Sequence, residues 1–392
     1  MGNKDIIHAR YLALCLIGLF AVMSNADAQT SAANVAKMVK SYPSSIQPDL
    51  KLSAEFYVPA EPKPLCLFFH GWHMSAAGSA AAGYILPLTP HFFVVNVDMR
   101  GRAGNPGKPD ANGFELMDAL DALDFAQKTW PQTVNTNEAP RLIGGSGGGG
   151  NVLALAGKAP DIFAAGSEWA GMSDYALWYE GDKAKSYRDE METKGWIGGA
   201  PSDNPAGYRS RGGLYLLENE ITPLLVIHGR KDTSVPVIHA EIYKDRAKQL
   251  GKTQIKFLFN DKGHDSEQWP EMIAHLKSYA QAPALPMTGS LRIHGFVACR
   301  AFRLMLDDPE KMGTAIYRLD AKRRLSEMQF MPDNQAMPRA CTLRLFNKPA
   351  GVTLTVADKT ERLPVNLTED YADYRWNGVA PWRVVINYVA HY

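Results

Sequence analysis

Continuous runs of apolar residues recur along residues 51–285, separated by segments whose apolar residues repeat at helical spacing. Unbroken runs are typical of strands buried on both faces of a parallel sheet. The predicted strands cover residues 64–69, 92–97, 141–144, 224–227 and 255–259, the last nearer an edge. The predicted helices cover residues 113–129, 151–158, 237–250 and 268–280. This alternation predicts an α/β fold, with a mostly parallel sheet and helices on both faces.

The pattern changes after a segment rich in alanine and proline at residues 281–286. Beyond this candidate linker, helical periodicity fades and short strands separated by turns are predicted. They cover residues 291–302, 314–319, 341–346, 352–356 and 382–389. We therefore expect a large α/β domain at 51–285, which would be the catalytic domain, and a small β-rich domain at 287–392. The sequence does not decide whether the β-rich domain is a sandwich or a barrel.

Two segments do not follow the strand–helix alternation. Residues 29–50 are small and polar, and we expect a loosely ordered lead-in there. Residues 171–222 are rich in tryptophan, tyrosine, glycine and charge. The second segment is interpreted either as a cap over an active site or as a peripheral helical excursion. If it is a cap, Trp178, Tyr179 and Trp196 are its candidate substrate-binding residues.

The N-terminus has the pattern of a secretory signal peptide. Lys4 and Arg10 supply positive charge, an apolar core spans residues 11–23, and residues 26–28 form an A-x-A cleavage site. Such a segment is removed on export, so we expect residues 1–28 to be cleaved after Ala28 and the protein to be secreted or periplasmic. The core is too short for a transmembrane helix, and no transmembrane segment is predicted elsewhere.

Charge and cysteine content narrow the function classes. Lysine plus arginine number 42 and aspartate plus glutamate 41, so no net field favours nucleic acid as a partner. Of the four cysteines, Cys15 falls in the leader and Cys66 in an apolar strand, as a small buried hydrophobe would. Cys299 and Cys341 could form a disulfide in an exported protein, which spacing alone leaves open. The oligomeric state is also left open.

The chemistry is concentrated first at Ser146. Residues 144–148 read G-x-S-x-G, with an apolar strand before them and an apolar helix after them. That arrangement predicts a nucleophile elbow, a sharp strand-to-helix turn that raises a serine hydroxyl above the sheet. Small residues are needed because the turn is tight and its backbone passes close to substrate.

A serine nucleophile needs a base, and the base needs a third group to orient it. Asp232 and His264 follow the fourth and fifth predicted strands, in the expected order of serine, acid and histidine. We therefore predict a triad of Ser146, Asp232 and His264. Asp261 and Asp265 are the alternative acids, and His228 is the alternative base.

An oxyanion hole is the remaining requirement, because negative charge develops on the carbonyl oxygen. One donor is predicted to be the backbone amide of Gly147. The other is predicted to come from the loop after the first strand, through the backbone of Gly71 or Trp72 or the side chain of His70. No carboxylate or cysteine cluster accompanies the histidines of this loop, so no metal and no cofactor are predicted.

These segments resemble the catalytic domain of the prolyl oligopeptidase family of serine peptidases, in the α/β-hydrolase superfamily. The resemblance runs from about residue 52 to residue 282. It rests on the D-x-R-G segment at 98–101, the serine segment at 141–148, and residues 204–209, which resemble a segment preceding the acid strand. The stretch ITPLLVIHG-x-x-D-x-x-VP at 221–236 is the most similar part. The resemblance implies acyl transfer with Ser146 as nucleophile, Asp232 as acid and His264 as base.

Substrate class is less well determined by this resemblance. Peptide-cleaving members usually carry a β-propeller before the catalytic domain, and about twenty residues between leader and first strand leave no space for one. The oxyanion loop reads H-G-W instead of the common H-G-G-P. The resemblance therefore implies an exported serine hydrolase acting on peptides, with carboxylesters on small molecules or polymers as the alternative.

A hypothesis of another class is a surface- or carbohydrate-binding protein built on a hydrolase scaffold. In this hypothesis the β-rich domain binds, through an aromatic platform of Tyr371, Tyr374, Trp376 and Trp382. Aromatic residues at such positions are more often core or strand-pair residues. A scaffold would also have no need of three triad residues.

Overall fold

The structure is a computed structural model that describes residues 35–181, 183–333, 337–356, 359–377 and 381–388. The predicted signal peptide, including Cys15, lies outside the described residues. The described chain contains an eight-stranded sheet followed along the sequence by an eleven-stranded sheet. No helix in this part of the chain has the length and apolar character needed to cross a bilayer.

The first sheet has the order β1-β2-β4-β3-β5-β6-β7-β8. Its strands are β1 (Val35–Pro43), β2 (Lys51–Pro59), β3 (Leu65–Phe69), β4 (Phe93–Val97), β5 (Arg141–Gly145), β6 (Ala165–Trp169), β7 (Leu224–Gly229) and β8 (Ile255–Asn260). Pairing is antiparallel from β1 to β4 and parallel from β4 to β8. The five predicted strands are all present, and β8 is an edge strand as expected.

Helices cover both faces of this sheet. They are α1 (Ala76–Ala81), α2 (Glu115–Thr129), α3 (Gly147–Lys158), α4 (Tyr175–Glu180), α5 (Arg188–Met191), α6 (Pro205–Arg211), α7 (Ile238–Gln249) and α8 (Trp269–Lys277). Alternate residues of one strand enter different cores: Leu67 packs with α2 and α3, whereas Phe68 packs with α8. This is the period-2 alternation of a strand that is buried on both faces.

Two parts of the first sheet differ from the sequence analysis. The expected loose lead-in at 29–50 contains β1, which pairs with β2 along nine residues and buries Tyr42 in the core. A polar strand of this kind has no apolar run, because as an edge strand it buries few of its side chains. Strand β6, with the sequence AGSEW, was also not predicted, because it contains no run of large apolar residues. All five of its residues are nevertheless buried.

The second sheet is entirely antiparallel. Its strands are β9 (Thr288–His294), β10 (Phe296–Ala298), β11 (Phe302–Leu306), β12 (Met312–Leu319), β13 (Leu325–Pro332), β14 (Ala340–Leu345), β15 (Gly351–Val356), β16 (Lys359–Arg362), β17 (Asn366–Leu367), β18 (Ala372–Asn377) and β19 (Trp382–Asn387). The predicted β-rich character of this region is confirmed.

The β-rich region shares buried contacts with the α/β region. Phe296, Ala298 and Met305 belong to the same apolar core as α2 and α3. Lys158, the last residue of α3, is fully buried and donates to the His294 carbonyl at 2.7 Å. Burial lowers the pKa of Lys158 to about 7. The helix that begins beside Ser146 therefore ends in a polar contact with the second sheet.

Three of the four residues of the proposed aromatic platform are buried. Tyr374, Trp376 and Trp382 are at most 4% exposed and belong to the core of the β-rich region. Tyr371 is covered by the Arg344 guanidinium, 3.7 Å from its ring centroid. Cys299 and Cys341 are free, buried thiols and do not form a disulfide. Cys66 is a buried core residue, as predicted.

Candidate active site

Ser146 occupies the tight turn between β5 and α3. Its backbone has φ 57° and ψ −120°, a conformation that costs free energy for a residue with a Cβ. The turn is held by its own amide, which donates to the Trp169 carbonyl at 2.9 Å, and by its carbonyl, which accepts from Gly150 at 3.0 Å. The sharp strand-to-helix turn expected at Ser146 is therefore present, and Ser146 stays partly exposed among buried neighbours.

The glycines after Ser146 allow two backbone segments to approach it. A Cβ on Gly147 would lie 2.6 Å from the Trp72 amide nitrogen, and one on Gly148 would lie 2.1 Å from the Phe69 carbonyl oxygen. Real side chains do not tolerate such distances, so only glycine permits this contact. The glycine run brings the start of α3 against the loop at residues 70–74, called the oxyanion loop below.

Asp232 and His264 meet at the carboxyl ends of β7 and β8. His264 Nδ1 lies 2.8 Å from Asp232 Oδ2. The other carboxylate oxygen accepts from the amides of Ser234 and Val235, at 2.8 and 2.9 Å. The Asp232 side chain is fully buried, whereas that of His264 is 36% exposed. Three donors therefore fix one carboxylate, and the imidazole stays accessible.

The charge state of Asp232 follows from these contacts. Burial by itself raises the pKa of the carboxyl, but the hydrogen bond from His264 and those from the two backbone amides bring the pKa below its ordinary value. The group is thus ionised at neutral pH. An ionised, fixed carboxylate can orient an imidazole and stabilise its protonated form.

The alternative acids and the alternative base do not form the contact that joins Asp232 to His264. No described contact joins Asp261 or Asp265 to the imidazole of His264. His228 is completely buried, and its Nε2 lies 2.8 Å from the Val235 carbonyl and 3.6 Å from Asp232. It therefore supports the acid loop from inside the fold.

Ser146 and His264 line one cavity of about 460 Å³. Its other walls come mainly from the oxyanion loop and from aromatic residues of several elements: Phe68, Phe69, Tyr84, Trp169 and Tyr187. A cleft of this size with apolar walls and a few polar groups is typical of a small-molecule or peptide side-chain site.

Two backbone amides lie close together beside this turn. The amide of Gly147 precedes the hydrogen-bonded body of α3, and the amide of Trp72 lies against it. Within the described chain, neither amide donates to another protein atom. Two unpaired, neighbouring donors beside Ser146 are the groups that an oxyanion hole requires.

His70 has a different place from the predicted donor. It is buried, does not line the cavity, and its Nδ1 lies 2.8 Å from the Gly71 carbonyl. Burial lowers the pKa of His70 to about 4, so the ring is neutral. Because the peptide between Gly71 and Trp72 is planar and trans, holding its carbonyl also orients the Trp72 amide in the opposite direction.

The segment at 171–222 contributes to the cavity, though not through the residues predicted. Trp178 and Trp196 are buried and pack on Trp72, with ring centroids 5.1 and 4.8 Å away. Tyr179 is partly buried in the same cluster and carries the Arg188 guanidinium on its ring. None of these three residues lines the cavity.

Tyr187 is the residue of this segment that does line the cavity, and Glu190 binds the oxyanion loop. Glu190 Oε2 accepts from Trp72 Nε1 at 2.9 Å and lies 2.7 Å from His73 Nε2. The segment thus lies against the site, as a cap would. Tyr84, Trp169 and Tyr187 were not identified from sequence. Tyr187 lies in the aromatic segment interpreted above as a possible cap, whereas Trp169 ends β6, a strand that the sequence did not predict.

His73 and Glu190 do not form part of a larger cluster. Within the described ranges, no group of three or more His, Cys, Asp or Glu residues has the geometry to hold a metal ion.

A buried carboxyl lies beneath the start of α3. Glu168 Oε2 accepts from the Gly171 amide at 2.9 Å and lies 2.7 Å from the position of a Gly149 Cβ. Burial raises the pKa of Glu168 to about 8, so the group is protonated at neutral pH. The unfolded chain releases this proton near pH 4.5. Stability from Glu168 is therefore complete at acid pH and is lost as pH rises through 8.

We expect Glu168→Gln to remove this pH dependence. The amide keeps the bond from Gly171 but cannot ionise, so between pH 5 and pH 9 the free energy of unfolding of the variant should rise by about 4 kcal/mol relative to that of the parent protein. Urea unfolding at both pH values measures the difference. A pH-independent cost of the new amide cancels when the two pH values are compared. If the free energies of unfolding of variant and parent differ by the same amount at pH 5 and pH 9, the protonated, buried carboxyl proposed at this position is contradicted.

Known proteins resemble this chain in sequence and in fold. The sequence profile of the prolyl oligopeptidase family matches residues 92–281. The uncharacterized peptidase YtmA of Bacillus subtilis (strain 168) is 30% identical over 202 residues, which is 50% of this chain and 74% of that protein.

Two solved structures were compared with this chain, and the first agrees with it in fold. An acylaminoacyl peptidase in complex with Z-Gly-Gly-Phe-chloromethyl ketone matches with a TM-score of 0.52 and 19% identity, over 64% of this chain and 43% of that one. The esterase Pf2001 of Pyrococcus furiosus has a TM-score of 0.49 and 17% identity, over 63% of this chain and 94% of that one. The chain thus spans less than half the length of the acylaminoacyl peptidase.

Proposed function

The chain belongs to the prolyl oligopeptidase family and is a serine hydrolase, and from this premise we propose that it cleaves peptide bonds through an acyl-enzyme on Ser146. The observation that carries the proposal is the cavity shared by Ser146 and His264, with Asp232 hydrogen-bonded behind the histidine at 2.8 Å. Nucleophile, base and orienting acid are the parts that acyl transfer requires.

In the proposed reaction, Ser146 Oγ attacks the carbonyl carbon while its proton passes to His264 Nε2. Asp232 holds Nδ1 protonated, which leaves Nε2 free to accept. The amides of Gly147 and Trp72 donate to the oxyanion. His264 then returns the proton to the leaving amine as the C–N bond breaks, and a water activated by His264 hydrolyses the acyl-enzyme. No step needs a metal or cofactor.

Peptide is the favoured substrate because a relative that is 30% identical over 202 residues is a peptidase. The aromatic walls formed by Tyr84, Trp169 and Tyr187 suit an apolar side chain beside the scissile bond. A carboxylester would use the same groups with less demand on His264 as acid, because an alkoxide can leave more readily without protonation than the nitrogen anion of an amide can. The binding-protein hypothesis has no support from the aromatic residues that motivated it, since most are in the core.

One sample can test both proposed substrates. Purified protein is treated with a fluorophosphonate, its intact mass is measured, and untreated protein is assayed on p-nitrophenyl acetate and a panel of peptide p-nitroanilides. We expect one adduct and cleavage of anilides with a large apolar residue on the acyl side. An adduct with ester cleavage alone would replace the peptidase proposal by the carboxylesterase. Absence of an adduct would overturn both.

We also propose that the protein is exported, on the basis of the signal-like pattern at residues 1–28. Protein recovered outside the inner membrane should have the intact mass of a chain that begins at Gln29. Retention of residues 1–28 would contradict export by this route.

A further inference from the structure

An arginine whose side chain is mostly buried lies directly behind the oxyanion loop. Arg102 Nη1 donates to the Trp72 carbonyl at 3.4 Å, and its guanidinium lies 4.5 Å from the Trp196 ring centroid. Trp196 in turn stacks on Trp72 at 4.8 Å. The Arg102 side chain is only 10% exposed. The Arg102 guanidinium thus holds Trp72 in two ways. It binds the Trp72 backbone carbonyl directly, and it packs on the Trp196 ring that stacks on the Trp72 ring.

Glu115 connects this arginine to the nucleophile helix. Arg102 Nη2 forms an ion pair with Glu115 Oε2, while Glu115 Oε1 accepts from the Asn112 amide at 2.9 Å and from Asn151 Nδ2 at 3.1 Å. Asn151 belongs to the first turns of α3, four residues after Gly147. The chain of contacts therefore runs from Trp72 through Arg102 and Glu115 to the helix that carries the other amide.

The two amides that would stabilise the oxyanion come from different elements of the fold, so their separation depends on tertiary contacts. Two donors must converge on one oxygen atom within a few tenths of an ångström to act together. We propose that Arg102, held by Glu115, is a positioning residue that sets the distance between the amides of Trp72 and Gly147. This inference rests on the proposed function, because it assigns those amides to the oxyanion.

The chain contains a matched ion pair that does not contact the site. Arg100 donates to both carboxylate oxygens of Asp118, at 2.6 and 2.7 Å, and its side chain is 8% exposed. Its other described partner is Ser44, close to β1. Breaking either pair leaves a buried carboxylate without its cation, with a similar cost in stability. Only the pair of Arg102 lies against Trp72, so a comparison of the two separates positioning from stability.

The test compares Arg102→Met, Arg100→Met and Arg102→Lys in the full protein, with each variant normalised to the fraction that a fluorophosphonate labels. For Arg102→Met we expect kcat on p-nitrophenyl acetate to fall 10- to 100-fold, with KM changed less than about threefold, because the donors act mainly in the transition state. Arg100→Met should keep kcat within about twofold. Arg102→Lys should recover part of the loss through its retained charge.

A transition-state analogue gives a readout that a purely structural role would not change. When a phenylalkyl trifluoromethyl ketone binds, Ser146 Oγ adds to its carbonyl carbon. The carbonyl oxygen then becomes an oxyanion, and the serine proton moves to His264. Its inhibition constant should rise in Arg102→Met by about the factor lost in kcat, and should stay unchanged in Arg100→Met.

If Arg102→Met is poorly folded, the double variant Arg102→Met/Glu115→Gln removes the unpaired carboxylate and should still show the low kcat and the weak ketone binding. Equal effects of Arg102→Met and Arg100→Met on kcat and on the ketone would overturn the inference while leaving the proposed function in place. Failure of the proposed function has a different signature, because Ser146 would then not react with the fluorophosphonate in the parent protein.

Discussion

Ser146→Ala is expected to lower kcat on p-nitrophenyl acetate by a factor of roughly 10⁵ to 10⁶ and to abolish the fluorophosphonate adduct. The variant loses the atom that forms the acyl-enzyme, so only the residual effects of the oxyanion donors and binding remain. The fold should be retained, because the turn is held by backbone bonds to Trp169 and Gly150. Alanine pays the same backbone cost as serine at a φ of 57°. Thermal unfolding should therefore be almost unchanged.

Ser266→Ala is the matched control for this variant. Ser266 is fully buried, two residues after His264, and its hydroxyl has no hydrogen-bond partner in the described chain. We expect this variant to keep parent activity and a single adduct. Measurable turnover in Ser146→Ala, or a remaining adduct, would refute Ser146 as nucleophile.

Asp232→Asn is expected to reduce kcat by about 10⁴-fold at neutral pH. One carboxylate oxygen accepts from Ser234 and Val235, so the carbonyl of an asparagine must stay at that position. Its NH₂ group then faces His264 Nδ1 and donates to it. The imidazole is forced into the tautomer that carries its proton on Nε2, which cannot accept a proton from serine. The geometry of the site is preserved while its base is disabled.

Asp265→Asn provides the control, because Asp265 lines the cavity next to His264 and lacks a described bond to the imidazole. Its removal should change kcat less than tenfold, which steady-state assays of both variants can measure. A larger effect of Asp265→Asn than of Asp232→Asn would move the acid role to Asp265.

The positions of Ser146, Asp232 and His264 could be predicted from sequence because each depends on local rules. Continuous apolar runs indicated parallel strands, and polar residues just after such runs must lie at one edge of the sheet. The G-x-S-x-G segment indicated a turn that small residues allow. These features involve few neighbouring residues, so they can be identified without knowing which strands are adjacent. The same reasoning missed β1 and β6, whose sequences are polar or small although tertiary contacts hold them in the sheet.

Which side chains meet was decided only by the tertiary structure. The choice of Asp232 over Asp265 depends on three donors that converge on one carboxylate. The inward packing of Trp178 and Trp196 depends on Trp72, more than a hundred residues away in the sequence. Aromatic residues are frequent both in hydrophobic cores and in binding sites, so the sequence pattern does not distinguish a core aromatic residue from a substrate-binding one.

Sequence by itself therefore determined the class of fold, the tight strand-to-helix turn at Ser146, the loops that carry the candidate acids and bases, and the existence of a β-rich region, since each is encoded by periodicity or by a short motif. The tertiary structure decided which residues line the cavity, the buried position and neutral charge state of His70, and the contacts that link Trp72 through Arg102 and Glu115 to α3. These depend on distances between elements far apart in the chain, and such distances are set by packing and burial rather than by any local preference of the residues.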